Sequence, residues 1–503
     1  MRPLAFPAMA LAARRAAAVA LLGAAGALAC SLLPERYAFN APVIHTITGR
    51  GGAEAPAEAQ FGERIRVPGG FAIGLFARDL PGVRFLHALP DGALLATTPR
   101  TGRVWRLEPD RDGDGRSDGQ SPLLEGLDRP HGLDVHEGWL YVAVADGVGR
   151  VRLDGAGAPA GEWTPVVEGL PEGGNHWTRS VRIGPDGWMY LSVGSSCNVC
   201  FEEDERRAAM LRFRPDGSAA ETYATGLRNS VGFDWQPGTN ALYATDNGRD
   251  LLGDDFPPCE LNEIERGGFY GWPVANGDRV LDPDLGEGFE ARAAASLPPA
   301  HDFAAHNAPL GIRFLRHPAQ PAGYRGAALV ALHGSWNRTR KDGYRVVSLH
   351  WGEAGIEERD FAVGFLVDED VIGRPVDVAE GADGSIYISD DYAGSVYRVT
   401  RAGAAATAPP VAPRPAARPA PSAGDGDAAR GAALWAEHDC ARCHDPERAA
   451  PGVVPVALSG LPDRYDAAGL ADFLAAPTPP MPSFPLDSEA RDDLSTYLLS
   501  RFD

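Results

Sequence analysis

The sequence predicts a mainly β chain, with a six-bladed β-propeller followed by a small all-α domain. Six copies of one pattern carry the prediction, each a tight turn followed by a strand with apolar residues at alternate positions. The copies begin near Pro90, His136, Pro185, Pro237, Tyr324 and Ala382. Most are separated by roughly fifty residues, a period typical of propeller blades built from short antiparallel strands. The 60 glycines and 43 prolines also favour an all-β body.

The N-terminal segment is predicted to be a targeting sequence. Three basic residues, Arg2, Arg14 and Arg15, precede the apolar run 16–29. This run is too short to span a membrane as a mature helix. Residues 1–29 are therefore predicted to be a signal peptide and 30–60 an N-terminal extension. The protein is expected to be bacterial and periplasmic or secreted. The stretch ending at Cys30 fits ordinary signal cleavage and also lipidation of that cysteine, so a lipoprotein anchor stays an open alternative.

Length and composition divide the rest of the chain. A chain of 503 residues is too long for one hydrophobic core. We predict the propeller over 61–400, a linker rich in Pro and Ala over 401–426, and the all-α domain over 427–503. A formal net charge of -21 argues against a nucleic-acid partner, because such partners need a basic surface.

The segment 439–445 reads DCARCHD, the attachment signature of a c-type haem. It predicts Cys440 and Cys443 as thioether anchors and His444 as an axial iron ligand. Met481, in a proline-bounded loop before the last helix, is the predicted second axial ligand, with a core-filling methionine as the alternative. His438 lies too close to Cys440 to reach the opposite haem face. The C-terminal domain is thus predicted to be a cytochrome c domain.

Three further cysteines lie in the propeller region. In an oxidising compartment Cys197 and Cys200 are best explained as a local disulfide. A zinc half-site is the weaker alternative, because no second Cys/His pair has a matching spacing. Cys259 either pairs with one of the two or stays buried and inert.

Polar residues just before successive repeats are expected to converge at one mouth of the propeller channel. They are His131, His176, Arg179, Arg228, Asn229, His306, Asn307 and Arg374. Histidine or arginine in five repeats suggests an anionic ligand and a proton acceptor, although polar residues fall on loops by chance as well.

Five segments of the propeller region resemble a known family. They are GNHWTRSVRIGPDGWMYLSVGSSCNVC, ATGLRNSVGFDW, ELNEIERGGFYGWP, APLGIRFL and YRGAALVALHGSWNR. They are similar to the soluble-type pyrroloquinoline quinone (PQQ) sugar dehydrogenases, most closely the L-sorbosone dehydrogenase branch, over residues 61–400. The resemblance implies a six-bladed propeller that oxidises a sugar, a sugar aldehyde or a related alcohol by hydride transfer to PQQ.

The resemblance also implies roles for individual residues. His176 matches the general base, whose pKa is expected near the working pH. Arg228 matches the arginine that stabilises negative charge on the quinone oxygen, and Asn229 is a neighbouring PQQ contact. Arg374 matches an arginine that holds the carboxylates of the cofactor.

Three positions depart from the pattern of the family. Val376 replaces a second arginine, Asn247 stands where the glucose enzymes have glutamine, and Arg338 is the best substitute for a cofactor-binding lysine. The resemblance implies a calcium ion that bridges PQQ and the backbone carbonyls of Gly248 and Arg249.

A second calcium site is suggested by the acidic loop 110–118. Asp110, Asp112, Asp114 and Asp118 have the spacing of the first part of a calcium-binding loop. Position 12 of that loop is Ser121 where the pattern requires glutamate, and no flanking helices are evident. A plain acidic turn is the alternative.

Taken with the haem signature, these observations predict a quinohaemoprotein dehydrogenase that passes electrons from PQQ to its own haem. A cytochrome, a copper protein or the respiratory chain would then accept them. A calcium-dependent lactonase and a non-catalytic propeller that docks a redox partner are the alternatives. The long interval between the fourth and fifth repeats, 275–308, is expected to set the substrate.

Overall fold

The computed structural model describes residues 52–402, 427–438, 440–445, 448, 458, 461–465, 467–475, 481, 484 and 486–502. The predicted signal peptide, Cys30 and linker residues 403–426 lie outside these ranges, and for Cys443 only the backbone is described. The chain divides between Val411 and Ala412 into two compact units, which are described separately.

The first unit confirms the predicted six-bladed propeller, because six sheets, each with at least four antiparallel strands, follow one another along the chain; the third has a fifth, parallel strand at its outer edge. From the innermost strand outward, blades 1 to 3 comprise Leu86–Ala88, Leu94–Thr98, Arg103–Leu107 and Gln120–Leu124; Leu133–His136, Trp139–Val144, Gly147–Arg152 and Thr164–Val167; and Arg179–Ile183, Met189–Val193, Ala209–Phe213, Glu221–Thr225 and Gly268–Phe269. Blades 4 to 6 comprise Phe233–Trp235, Leu242–Asp246, Cys259–Glu263 and His301–Phe303; Pro309–Phe314, Ala328–Leu332, Arg345–Gly352 and Gly355–Ala362; and Pro375–Glu380, Ile386–Asp390, Ser395–Arg401 and Phe71–Ala77.

The last blade closes the ring with a strand from the start of the propeller. Phe71–Ala77 pairs antiparallel with Ser395–Arg401, so that Phe71 lies opposite Arg401. Apolar clusters fill the spaces between blades; one of them joins Phe71 and Leu75 to Phe361 of blade 5 and Tyr397 of blade 6. Apolar packing and backbone hydrogen bonds therefore hold the ring closed.

Each innermost strand contributes one ionisable side chain to a charged network that links neighbouring blades. In blade order these are His87, Asp134, Arg182, Asp234, Arg313 and Asp377. The three aspartates each accept a hydrogen bond from the backbone of the next blade, from Ile183 at 2.7 Å, Phe314 at 2.8 Å and Leu86 at 2.9 Å. These bonds link blades 2 to 3, 4 to 5 and 6 to 1, and the basic side chains between the aspartates keep the charges balanced.

The long interval between the fourth and fifth repeats, 275–308, forms a loop at the edge of the channel over only part of its length. It contains the short hairpin Ala275–Asn276 and Val280–Leu281 and the helix α1, Glu290–Ala294. His301–Phe303, expected to belong to the same loop, is instead the outermost strand of blade 4. The reason is that Cys259–Glu263 needs a partner on its outer edge, and the chain returns to supply it. A second small hairpin joins Leu366–Val367 to Asp370–Val371, and short 3-10 turns cover Glu58–Gln60 and Pro99–Thr101.

In the second unit, the described residues form helices α2 to α6. These are Ala428–Glu437, Ala441–His444, Leu461–Arg464, Ala467–Ala475 and Ser488–Arg501. They share a small apolar cluster that includes Leu470, Leu494 and Leu498. The assignment of 427–503 as a cytochrome c domain stays a prediction. Among the described residues, no helix is long and apolar enough to cross a membrane.

Candidate active site at one mouth of the channel

The polar residues that precede the innermost strands meet at one mouth of the propeller, as predicted. Hydrogen bonds, close ionic contacts and, between His306 and Asn307, the peptide bond itself link them into a ring that passes through all six blades. In order around the mouth the ring runs through Arg84, His131, Arg179, His176, Ser195, Arg228, Asp250, His306, Asn307, Gly334, Arg374, His333 and Asp391, and returns to Arg84.

His176 is half-buried, and its ring is fixed from one side. Nδ1 lies 3.1 Å from the carbonyl oxygen and 2.8 Å from the hydroxyl oxygen of Ser195. Since a carbonyl can only accept, Nδ1 carries the proton and Nε2 presents its lone pair. Burial, followed by the positive charge of Arg228, lowers the pKa of His176 to about 3. The expected near-neutral pKa is therefore wrong for this structure, whereas the neutral form of the ring holds throughout the physiological range.

Arg228 is buried, and all five of its N–H donors are used. Nε donates to the carbonyl of Asn198 at 2.9 Å, and Nη1 donates to the carbonyls of Asn247 and Gly248 at 3.0 and 2.9 Å. Nη2 donates to Oδ1 of Asn198 at 2.8 Å and to the carboxylate of Asp250 at 3.1 Å. A guanidinium has five N–H groups, so the position of this charge is fully determined by the protein.

Asn229 and Asn247 lie against the same wall. The amide nitrogen of Asn247 donates to the carbonyls of Asn229 and Pro309 at 3.2 and 3.3 Å. Gly194 lies between Asn229 and His176 and leaves no room for a side chain. A Cβ at this position would lie 2.6 Å from Cβ of His176 and 2.7 Å from Oδ1 of Asn229. The structure thus brings His176, Arg228, Asn229 and Asn247 together.

Arg374 belongs to a buried charged cluster on the opposite side of the mouth. It donates to the carbonyls of His333 and Gly334, each at 3.2 Å. Asp391 lies 2.8 Å from Nε2 of His333 and accepts a hydrogen bond from Arg84 at 2.8 Å. Burial alone would raise the pKa of Asp391, but the charges of His333, Arg84 and Arg374 outweigh it and hold the pKa well below its usual range. Burial and Arg374 lower the pKa of His333 to about 4.

The side-chain amide of Asn307 has unmet hydrogen-bonding capacity. Asn307 is 1% exposed, and both its Oδ1 and its Nδ2 lack a hydrogen-bond partner among the described residues. A buried amide without partners is costly, so such a group in a native fold calls for an explanation. The adjacent His306 donates from Nε2 to the carbonyl of Gly253 at 2.7 Å, and its Nδ1 lies 3.7 Å from the carboxylate of Asp250.

Gly248 and Arg249, whose carbonyls are predicted to bind calcium, have different contacts in the structure. The carbonyl oxygen of Gly248 accepts one hydrogen bond from Arg228, which leaves one of its two lone pairs. The side chain of Arg249 points elsewhere, with 2.7 Å ion pairs to Asp282 and Asp284. These pairs attach the hairpin of the long insertion to the segment that carries Gly248.

Arg338 has a different environment from that of a cofactor-binding cation. It donates to the carbonyls of Asp254 and Ala305 at 2.7 and 3.2 Å and pairs with Asp255 at 3.0 Å. These contacts tie two rim loops together. The predicted contact between Arg338 and the cofactor stays a prediction.

The acidic loop is organised by its own backbone. Oxygens of Asp110, Asp112 and Asp118 lie within 4.8 Å of one another, whereas Asp114 is outside this group and accepts a hydrogen bond from the backbone of Arg116. Asp110 accepts hydrogen bonds from two backbone N–H groups of the loop and pairs with Arg398 at 2.8 Å. The acidic turn considered from the sequence accounts for these contacts.

Cys197 and Cys200 form the predicted disulfide. Cys259 is a free, buried cysteine, and burial raises the pKa of its thiol to about 11, as expected for an inert core residue.

The predicted haem residues lie in the second unit. Cys440 is buried, and the ring of half-buried His444 lies 6.1 Å from that of Trp435. Met481 and Trp435 both pack against the apolar cluster of this unit. The ring of His438 packs 5.2 Å from Phe484.

Sequence reasoning missed several members of the ring and also Asn198, which contacts two of them. Arg84 lies just before the innermost strand of blade 1, so the positional rule that found His131 would have found it too. Asp391 and His333 follow the second strands of their blades, and Ser195 and Asn198 lie in the loop after the second strand of blade 3. The second strand of each blade runs antiparallel to the innermost strand, so it ends at the mouth where the innermost strand begins. Residues that directly follow a second strand could therefore have been assigned to this mouth from the sequence.

Comparison with known proteins adds the family. The sequence pattern described as Glucose / Sorbosone dehydrogenase matches residues 136–401, more than half of the chain. The chain belongs to this family. An uncharacterised protein of Borreliella burgdorferi is 32% identical over 296 residues, which cover 55% of this chain and 77% of that protein. The propeller of this chain is therefore a sugar dehydrogenase propeller, and the protein is an oxidoreductase.

Two solved structures share the fold of this glucose/sorbosone dehydrogenase. The PQQ domain of pyranose dehydrogenase from Coprinopsis cinerea, in its holo form, has a TM-score of 0.58 and 21% identity, with 69% of this chain and all of that chain covered. A calcium structure of a Trichoderma reesei carbohydrate-active enzyme of family AA12 also has a TM-score of 0.58, with 20% identity and coverage of 67% and 97%. At these identities the likeness establishes the propeller fold.

Proposed function

We propose that the protein is a PQQ-dependent dehydrogenase that oxidises a sugar, a sugar aldehyde or a related alcohol and passes the electrons to its own c-type haem. The observation that carries the proposal is the pairing of a neutral histidine with a buried arginine. His176 and Arg228 lie on neighbouring blades at the channel mouth, joined through Ser195, in a chain of the glucose/sorbosone dehydrogenase family.

The residues around the mouth fit an anionic quinone. PQQ is a tricarboxylate, and the mouth supplies guanidinium groups on both sides, from buried Arg228 on one and from buried Arg374 and partly buried Arg84 on the other. The buried amide of Asn307, which has no hydrogen-bond partner among the described residues, adds a donor and an acceptor to the ring. The related pyranose dehydrogenase domain binds PQQ, which supports the choice of cofactor.

When bound, PQQ would supply the hydride acceptor. His176 would take the proton of the substrate hydroxyl at Nε2, since Ser195 holds the proton on Nδ1. The low pKa of about 3 keeps this nitrogen unprotonated and ready to accept. It also makes the ring a weak base, and negative charge placed beside it raises its basicity. Arg228 would favour negative charge that develops nearby, and it needs no reorganisation because the protein fixes its position.

Calcium is part of the proposal. The carbonyl of Gly248 has one lone pair left for a hard cation, and the carboxylate of Asp250 binds the other terminal nitrogen of the same guanidinium. The Trichoderma reesei structure with calcium supports this choice. The carbonyl of Arg249 would be the second ligand, as the resemblance implies.

The haem completes the proposed electron path. Cys440 and Cys443 would hold it covalently, and His444 and Met481 would ligate the iron. A c-type haem agrees with export, so we propose a periplasmic or secreted protein with either a free or a lipidated N-terminus at Cys30. A cytochrome, a copper protein or the respiratory chain would receive the electrons.

The test uses full-length protein that carries haem but no PQQ. Addition of PQQ and calcium should allow an aldose or an aldehyde to reduce the haem, followed by its absorbance. His176→Ala should abolish this reduction while dithionite still reduces the haem. The matched control His136→Ala changes a histidine at the far end of blade 2 and should keep the activity.

Two results would contradict the proposal. One is turnover without PQQ, including hydrolysis of a lactone that needs calcium alone. The other is an absence of PQQ binding to the folded protein. Substrate-driven haem reduction in His176→Ala at a rate close to that of the parent would refute the assignment of the base.

A further inference from the structure

The loop Ser195–Cys200 of blade 3 contacts both candidate catalytic groups. It follows the strand Met189–Val193, and the disulfide between Cys197 and Cys200 closes its second half. The loop was singled out in the sequence only for its two cysteines. Its hydrogen bonds place it directly behind the proposed base and the proposed arginine.

Asn198, between the two cysteines, holds the guanidinium of Arg228 with two oxygens. Its backbone carbonyl accepts from Nε at 2.9 Å, and its Oδ1 accepts from Nη2 at 2.8 Å. The same Oδ1 accepts from the backbone N–H of Asp250 at 2.8 Å, and Nδ2 donates to the carbonyl of Asp250 at 3.1 Å. Asn198 thus fixes both Arg228 and the segment that carries its counter-ion.

The same loop also holds His176. The hydroxyl of Ser195 donates to the carbonyl of Cys197 at 2.8 Å, and its oxygen lies 2.8 Å from Nδ1 of His176. On the other side of the disulfide, Glu202 accepts from the backbone N–H of Ser196 at 2.6 Å. The conformation of one short loop therefore sets the positions of two groups on different blades.

We propose that Asn198 is a positioning residue for Arg228 and that the Cys197–Cys200 disulfide holds Asn198 in place, so that dehydrogenase activity depends on the redox state of this cysteine pair. The proposal rests on the proposed function for its activity readout. A dithiol such as dithiothreitol would break the S–S bond by exchange: the two cysteines take up two electrons and two protons as thiols, and the dithiol closes to its own cyclic disulfide.

The physical reason is that a loop without the disulfide would adopt several conformations and would no longer hold Arg228 in one position. Asn198 makes five hydrogen bonds of 3.4 Å or less to Arg228, Asp250 and Trp272, and each needs the loop in one conformation. The disulfide removes alternative conformations on either side of Asn198. A misplacement of a charged group by about 1 Å can cost roughly a hundredfold in rate, so a loosened loop should be visible in kcat.

The test compares three variants in the PQQ-loaded, haem-containing protein. Asn198→Ala removes three side-chain bonds and should lower kcat about ten- to a hundredfold. Asn198→Asp keeps the Oδ1 acceptor for Arg228 but loses the donor to the carbonyl of Asp250, so it should recover part of that loss. Val199→Ala, in the same loop, is the matched control and should keep the parent rate.

The pH profile separates positioning from a general loss of structure. The positive charge of Arg228 contributes to the low pKa of His176. Release of the guanidinium in Asn198→Ala should therefore move the acid limb of kcat/KM to higher pH. Equal urea midpoints for Asn198→Ala and Val199→Ala would show that the fold is retained.

The role of the disulfide is tested on the parent protein. It is treated with dithiothreitol, alkylated, freed of reductant and checked by mass spectrometry; the haem thioethers are not disulfides and survive. Reduced protein and the double variant Cys197→Ala/Cys200→Ala should both lose activity about tenfold or more. Full activity in both would overturn this part of the proposal.

A second readout needs neither PQQ nor turnover. Phenylglyoxal modifies exposed guanidinium groups, and peptide mass spectrometry reports modification at Arg228. Modification should be faster in Asn198→Ala and in the reduced protein than in the parent and in Val199→Ala. Equal rates would overturn the proposal even if the parent protein proved inactive, in which case the proposed function would have failed separately.

Discussion

Replacement of Asp391 by asparagine should destabilise the propeller by about 3 kcal/mol at pH 7. The carboxylate is 13% exposed and serves two partners at once, Arg84 at 2.8 Å and His333 at 2.8 Å. Removal of one partner of a buried ion pair costs about 3–5 kcal/mol, because the remaining charge is left uncompensated. We expect the lower end, since asparagine keeps one oxygen that can accept from Arg84.

The assay is urea unfolding of the full chain at pH 7, followed by the fluorescence of the propeller tryptophans. The matched control is Asp383→Asn on the same blade, where the carboxylate is 55% exposed and pairs with Arg398 at 2.9 Å. An exposed pair is worth roughly 0–1 kcal/mol, so this change should be nearly neutral. Equal free energies of unfolding for the parent and Asp391→Asn would refute the view that Asp391 balances the buried cations.

Three other predictions concern the same region. Burial lowers the pKa of His176 to about 3 and that of His333 to about 4, so the unfolded chain binds more protons below its own pKa near 6.5; the stability contributed by these two histidines should fall as the pH drops from about 6.5 to 3, the urea midpoint of the parent should therefore fall relative to that of His176→Gln/His333→Gln over this range, and a pH-independent difference would contradict it. Burial raises the pKa of Asp246 to about 7 and that of Glu260 to about 8, so the folded state keeps protons that the unfolded state loses; the stability contributed by these two acids should fall as the pH rises from about 4 to 8, and Asp246→Asn should raise the urea midpoint more at pH 8 than at pH 5, whereas an equal shift would count against it. Gly194→Ala should lower turnover at least about tenfold with an unchanged circular dichroism spectrum, because its Cβ would displace His176; parent-like turnover would show that the site has room for it.

The propeller could be predicted from sequence because its signal is repeated six times. Each turn-and-strand pair is weak by itself, but a fixed period of short antiparallel strands leaves few other folds. The closing strand carries no such signal, since Phe71–Ala77 lies before the first repeat and pairs with the last. The strand His301–Phe303 was missed for a related reason, because a long insertion separates it from its own blade.

The candidate site could be predicted where residues lie just before innermost strands. His176, Arg228 and Arg374 meet because every blade begins at the same mouth. The partners that control them lie elsewhere in sequence: Asn198 is 30 residues from Arg228, and Asp391 is 307 residues from Arg84. Their pairing depends on loop conformation, which has no period, and the low pKa of His176 depends on burial that appears only in the folded chain.

The closing strand has a consequence for how the protein is made. Phe71–Ala77 is synthesised first and its partner Ser395–Arg401 last, so the edge of the closing strand has no partner until more than three hundred further residues have been added. An unpaired strand edge is a template for pairing with other chains. Contacts this distant in sequence also form slowly, because the whole intervening chain must first be brought together. Production of the intact protein therefore depends on protection of its first strand until the last blade has emerged.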